Sequence, residues 1–342
     1  MRIPIHYAFA FLFFIAVNAF AQDPVNEVSF FEDERVVSME LLTDLKTLVN
    51  EKEVNKYQPA KITLRFPDST VITEDIQLSA RGEFRRTNCY MPSMKLDFKN
   101  PSSLQLARLK KLKMVCGCSR GTTNENLVLK EYLIYKMYNL LTDMSFRVRL
   151  LHITYRDTKR KIKPYSQYGF FIEDVDEMAK RNKCYEVENI TFHTQSTNRT
   201  QMTLVSLFQY MIGNTDWAVP TYHNIKLMRP KKDSLATPFT VPYDFDYCGL
   251  VNAEYAIPPE ELGITSVRER LYRGFSRSME ELQTCLAHLH QKKDAFMDLI
   301  MRFDRLALRE KKEMTSYLDG FFEKTNDPAF VKNTFIDEAR TK

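Results

Sequence analysis

The sequence predicts an α+β fold in which an antiparallel, sheet-rich N-terminal part precedes a helical C-terminal part, the two forming lobes around a cleft. Three observations lead there. Short, partly alternating apolar segments recur before residue 175. One apolar stripe at helical spacing interrupts them. From about residue 279 the chain reads as helix, with interruptions, to Phe322.

Taken in order, 61–66 (KITLRF), 76–80 (IQLSA) and 94–99 (MKLDFK) read as antiparallel strands separated by turn residues. In 126–142, Leu127, Leu129, Leu133, Ile134, Met137, Leu140 and Leu141 share one helical stripe. Segments 147–156 and 169–173 are again strand-like, with the charged DTKRKIK turn between them. A helix is expected over 201–213, capped by Thr200 and ending near Gly213. The polar loop NTDWAVPTYHN, the strand IKLMR and the segment FTVPYDFDYCGLV follow. The sheet-rich part is expected to span about 22–175 and the helical part about 176–342, as one domain, because no internal repeat or low-complexity linker divides them.

Residues 1–21 carry Arg2, an apolar run from about Ala8 to Val17 and an Ala19-Phe20-Ala21 site, the pattern of a cleavable secretory signal. An uncleaved anchor is the alternative, although the run is short for a membrane span. The expectation is an exported protein, periplasmic or extracellular at the cell surface, soluble or peripherally attached to the envelope, with no transmembrane segment after cleavage. A formal net charge of +5 over 342 residues gives no whole-domain case for nucleic acid. Hydrophobic content of 44% is ample for a core. The six cysteines (89, 116, 118, 184, 248 and 285) suit up to three disulfides in an oxidising compartment, with buried free thiols as the alternative. Cys116 and Cys118, one residue apart, are expected to bond elsewhere if they bond at all. A lone C-x-C is a poor zinc signal.

The chemistry concentrates in 213–250, where Asp216, His223, Asn224, Asp244 and Asp246 lie in two loops joined by a strand hairpin. Such loops can bring several hard oxygen donors to one side of a cleft, the set magnesium prefers when phosphates and water complete its shell. Phosphoryl transfer needs one carboxylate to orient the acceptor hydroxyl, an Asn and an Asp on the metal, and a cation on the phosphates. The plain alternative is that these residues cap turns in solvated loops.

The blocks RGEFRR…MPSMKLDF, NLVLKEYLIYKMYNLL, YGFFIED and NTDW…HN…PYDFD resemble, in that order, the CotH-type (spore coat) kinase family, over roughly 75–250. The resemblance implies a two-lobed atypical-kinase-like domain. It implies Arg81 and Gly82 at a nucleotide-facing turn, Lys95 on the α/β-phosphates and Asp216 as the catalytic carboxylate. Asn224 and Asp244 would hold magnesium or manganese, with Asp246 as a second carboxylate ligand and ATP as the phosphate donor. Glu131 would pair with Lys95, as strand lysines and helix glutamates do in kinases. Glu173 would serve at a hinge, at the nucleotide or in the structure.

Three function classes follow. The first is a metal-dependent phosphotransferase acting on a protein, glycan or small acceptor in the cell envelope. The second is a catalytically silent binding or scaffold protein. It draws on the missing G-x-G-x-x-G loop, on D-F-D lacking the glycine of D-F-G, and on a compartment poor in ATP. The third is a metal-dependent hydrolase in which His223 and the aspartates activate water. The arginine-rich run 267–277 is expected either to face the cleft or to form a solvated helix face.

Overall fold

A computed structural model describes residues 27–52, 56–98, 101, 106 and 109–341; the expected signal over 1–21 lies outside them. Among the described residues no helix is long and apolar enough to cross a membrane. The chain begins with α1 (Glu27–Glu32), β1 (Val37–Thr43), α2 (Leu45–Asn50), β2 (Gln58–Arg65), β3 (Val71–Arg81) and α3 (Glu83–Asn88). It continues with β4 (Ser93–Asp97), β5 (Lys111–Cys116), α4 (Thr122–Asn139), β6 (Val148–Asp157) and β7 (Tyr165–Ile172). Then come α5 (Val175–Arg181), β8 (Cys184–Glu186), α6 (Arg199–Ile212), β9 (Ile225–Pro230) and β10 (Phe239–Pro242). Four helices finish it: α7 (Met279–Gln291), α8 (Lys293–Met301), α9 (Leu308–Thr325) and α10 (Pro328–Lys332).

The fold is α+β, sheet-rich first and helical after, but the sheet is closed. Seven strands form a barrel in the order β1-β2-β3-β4-β5-β7-β6, sealed by a parallel β1–β6 pairing among otherwise antiparallel neighbours. Period-two alternation fills it: Leu78, Leu96, Leu112, Met114, Ile153 and Phe171 point inward and share one buried cluster. Their neighbours in sequence point outward. Phe170 and Ile172 of β7, with Val115 of β5, join a second and larger cluster built on α4 and α6. One strand therefore serves two cores. A three-stranded sheet, β10-β9-β8, lies in the otherwise helical half.

Sequence and structure differ at three strands. β1, β5 and β8 have no counterpart among the expected segments, although Leu112, Met114 and Cys116 alternate cleanly. The cap of α6 is Asn198, whose side chain accepts from Gln201 N at 3.0 Å, rather than Thr200. The arginine-rich run is neither helical nor cleft-facing. It is an irregular strap whose guanidinium groups satisfy backbone carbonyls. Arg268 donates to Gly249 O (2.9 Å), Arg270 to Met211 O (3.1 Å) at the end of α6, and Arg273 to Thr215 O. Arg268 and Arg270 stack on the Tyr317 ring at 4.2 and 3.9 Å. Cations at a helix C-terminus also meet its negative dipole end.

Gly213 ends α6 in the left-handed region (φ 69°), as its place after an apolar helix predicts. A Cβ there would lie 2.1 Å from Tyr317 Oη. Gly213→Ala should therefore cost about 2–4 kcal/mol, combining left-handed strain with overpacking. Urea denaturation would measure it, and a loss below about 0.5 kcal/mol would contradict the close packing of strap, ring and turn.

Candidate functional site

The Gly213 turn delivers the chain into the first site loop. Asn214, buried, donates to Gln209 Oε1 (3.0 Å) and accepts from Asp216 N (2.9 Å), which sets the turn before Asp216. Ala218 and His223 then pair across an isolated bridge and fold the loop back. Both returning side chains grip Asp216. His223 Nε2 lies 2.6 Å from Oδ1, and because a carboxylate oxygen accepts, Nε2 carries the proton of that contact. Asn224 Nδ2 donates to Asp216 Oδ2 at 2.9 Å and to its backbone O at 2.8 Å. With its amide nitrogen spent, Asn224 has its Oδ1 left to act as a donor atom for a ligand.

The second loop is stitched to the first by Tyr243 N, which donates to Asn224 O at 3.1 Å. In D-F-D the middle residue goes inward: Phe245 is buried and packs edge-on against Tyr135 of α4, ring centres 4.8 Å apart. That anchor turns the two aspartates outward. Asp244 takes a left-handed backbone (φ 64°), a conformation Asp tolerates better than most residues, while its amide donates to Tyr135 Oη at 2.8 Å. The Asp244 carboxylate has no hydrogen bond or ion pair among the described residues. Burial, and then the nearby Asp246, push it up to about 6, against the opposing pull of Arg81 and Arg85.

Asp246 is committed. Its Oδ2 accepts from Arg85 Nη2 and from Tyr255 Oη, each at 3.0 Å. Arg85 is buried, reaches Cys116 O with Nη1 (2.6 Å) and lies 3.7 Å from Glu131 Oε2. Burial alone would weaken its charge, but Tyr255, Asp246 and Glu131 together hold its pKa above the usual range. Neither Glu131 oxygen has a hydrogen bond among the described residues, the Phe245 amide lying near but outside bonding geometry. Burial first, then Asp246 and Asp244, push Glu131 well up, against the pull of Arg85. Arg81, at the end of β3 before the Gly82 turn (φ 79°), also has no hydrogen bond or ion pair among the described residues.

Arg81, Gly82, Asp216, Asn224, Asp244 and Asp246 line one cleft of about 430 Å³, together with Arg85 and His223. Three expected residues stand elsewhere. Lys95, on β4 opposite Ser79 and Lys113, does not line the cleft. Glu131 pairs with Arg85 rather than with Lys95, because α3 inserts Arg85 beside α4 while α4 itself packs over β5, β6 and β7, away from β4. Glu173 is buried at the β7–α5 junction, where it accepts from Arg181 Nε (3.1 Å) and Nη2 (3.0 Å) and from Arg147 N (3.0 Å), a structural tie. A cation that the sequence reading passed over is Lys113, which, like Lys95, does not line the cleft itself. It faces outward from β5, half-buried, 5.4 Å from the Tyr243 ring centre. Burial, then Arg81 and Lys226, push it down to about 8. The Leu112/Met114 alternation was the signal that could have found it.

No cluster of three or more His, Cys, Asp or Glu able to hold a metal occurs among the described residues. The Asn224 and Asp244 oxygens are hard donors of the kind magnesium takes, commonly one or two from the protein with phosphates and water. No family model matches this chain, and no curated protein matches it. Among solved structures it is similar to the crystal structure of a Helicobacter pylori proinflammatory kinase, CtkA. Identity is 10% and the TM-score 0.37, with 72% of this chain and 91% of that one covered. A likeness that slight transfers no activity.

The raised Asp244 pKa has a signed consequence. The folded protein holds this proton more tightly than the unfolded chain, whose carboxyl titrates near 3.8. The stability from that proton is full below about pH 4 and is lost as pH rises through about 6. Asp244→Asn should therefore stabilise the ligand-free protein at pH 7.5 by up to roughly 3 kcal/mol, with the gain shrinking at pH 4. Thermal melts at both pH values test this, and equal gains at both would refute it.

Proposed function

We propose that this protein is a magnesium-dependent phosphotransferase that moves a phosphoryl group from a nucleotide such as ATP to a hydroxyl acceptor. The observation that carries the reading is a pair of opposite charged groups in one cleft, neither tied up by a hydrogen bond or ion pair among the described residues. The Asp244 carboxylate and the Arg81 guanidinium both lack a hydrogen-bonded partner among the described residues, beside an Asp216 held from two sides. A free carboxylate with a neighbouring amide oxygen suits a hard cation, and a free guanidinium suits phosphate. Magnesium bound there would neutralise charge on the phosphates. Asp216, oriented by His223 and Asn224, is placed to accept the acceptor's proton. Lys113, outside the cleft lining, adds to the positive potential that acts on Asp244. The Cys89–Cys118 disulfide suits an exported protein in an oxidising compartment, since such bonds are rare in the cytosol.

A silent, ligand-binding relative is the second reading, favoured by one observation: Asp246 is spent on Arg85 and Tyr255, which leaves Asp244 as the single uncommitted carboxylate of the pair. A hydrolase using His223 on a metal has less support, because its Nε2 faces Asp216.

Thermal shift with magnesium and ATP tests the proposal. At a ligand concentration 100 times Kd, stabilisation of about 2.7 kcal/mol is expected. It should strengthen as pH rises through about 6, where the proton on Asp244 stops competing with the metal. Asp244→Ala should abolish the magnesium-dependent part, and an unchanged shift in that variant would sink the assignment. Asp216→Ala should keep binding and lower turnover about 10²–10⁴-fold. Binding without turnover in wild type would select the silent reading.

A further inference from the structure

The Cys89–Cys118 disulfide lies within a few residues of Arg85, the buried cation that holds Asp246 of the second site loop. Helix α3 is six residues long, starts on the Gly82 turn and has no side-chain cap. Its C-cap is Cys89, buried and bonded to Cys118. Cys118 stands two positions after Cys116, whose carbonyl takes Arg85 Nη1 at 2.6 Å. It also accepts from Met91 N at 2.9 Å, just beyond the helix. One covalent link thus ties both the segment that carries the Arg85 donor and the segment that carries its acceptor. From that position Arg85 Nη2 reaches Asp246 at 3.0 Å, across 161 positions of sequence.

We propose that Arg85 is the positioning residue of the cleft and that the Cys89–Cys118 disulfide is its latch, so that the D-F-D loop is set in the oxidised protein and released on reduction. The latch itself rests on geometry alone; only its effect on ligand binding rests on the phosphotransferase reading above.

The exchange balances with a dithiol as reductant. A dithiol thiolate attacks Cys118 Sγ, the half-buried partner, and Cys89 leaves as thiolate. The second thiol then displaces Cys118, and the reductant departs as a disulfide. Its two electrons go to the broken S–S bond and its two protons to Cys89 and Cys118. Cys116 stays out of the exchange: its thiol is buried and donates to Pro92 O at 3.2 Å, and burial pushes its pKa up, away from the reactive thiolate. Once α3 is untied, Arg85 leaves Asp246 beside Glu131 and Asp244 without its cation, and the loop that carries Asp244 loses its reference point.

The test compares the full chain in four forms: oxidised, dithiol-reduced with disulfide loss verified by mass, Cys89→Ser/Cys118→Ser, and Arg85→Lys. Amide hydrogen exchange is followed at 83–88, at 243–249 and in β1–β2 as reference. Reduction and the double serine variant should speed exchange at 83–88 and 243–249 by about tenfold or more, with β1–β2 unchanged. Arg85→Lys should do the same at 243–249 with the disulfide intact. Reoxidation should restore the wild type and not the serine variant. Magnesium–ATP affinity, measured in parallel, should fall about 10–100-fold in the same three forms. Unchanged exchange at 243–249 after reduction would overturn the latch, and so would an equal rise in β1–β2, which would mark the bond as a staple for the whole fold. If no form binds magnesium–ATP, the phosphotransferase reading fails while the exchange pattern still decides the latch.

Discussion

Arg85 carries a full positive charge where water scarcely reaches, and the rest of the site is arranged around that fact. A buried cation needs partners on every side, and Arg85 has them from three separate parts of the chain: the Cys116 carbonyl from β5, Glu131 from α4 and Asp246 from the second site loop. Removing one partner of such a buried pair costs about 3–5 kcal/mol, because the charge left behind is uncompensated. The barrel half and the loop of the helical half, which also share an apolar core through Val115, Phe170 and Phe245, are therefore tied at this point by a requirement of electrostatics. Glu131 sits in this company with its carboxyl pushed well up, by burial first and then by the two aspartates. Two ionised carboxylates around one guanidinium would leave a net negative charge in a dry place.

The two aspartates of D-F-D show how location separates identical side chains. They flank the same buried phenylalanine and stand two positions apart. Asp246 is paired with Arg85 and Tyr255, while Asp244, on a left-handed backbone, faces the cleft with its charge unmet. Neutralised charges build the site; unmet ones mark where a ligand belongs. By the same criterion Arg81, whose guanidinium has no hydrogen bond or ion pair among the described residues, differs from Arg85 four positions later. The arginines of the 267–277 strap fall on the structural side. They spend their donors on the end of α6 and on the turn next to Asp216, holding the first loop from behind as α3 holds the second.

Much of this was legible one residue at a time. Glycine after an apolar helix predicted the end at Gly213, because a left-handed residue closes a helix most easily when it has no Cβ. The helical stripe at 126–142 and the alternation at 76–80 and 94–99 correspond to α4, β3 and β4, since spacing along the chain records which face is buried. The chemistry-bearing pair of loops could also be read, because Asp216, Asn224, Asp244 and Asp246 are close in sequence and the hairpin between them is short. Lys95 and Glu173 illustrate the limit: each has a suitable side chain on a suitable element, and neither lines the cleft.

What the sequence determined by itself was local: which segments are strands or helices, which loops hold the polar groups, and that the first half is sheet-rich and the second helical. The tertiary structure alone decided that the sheet closes into a barrel through a parallel β1–β6 pairing, and that Glu131 meets Arg85. It alone decided that Cys118 bonds Cys89 and that Lys95 stands outside the cleft. The physical reason is range. Propensity and period report on neighbours a few positions away, whereas pairing of buried charges and of sulfurs depends on which distant segments the packed core brings together.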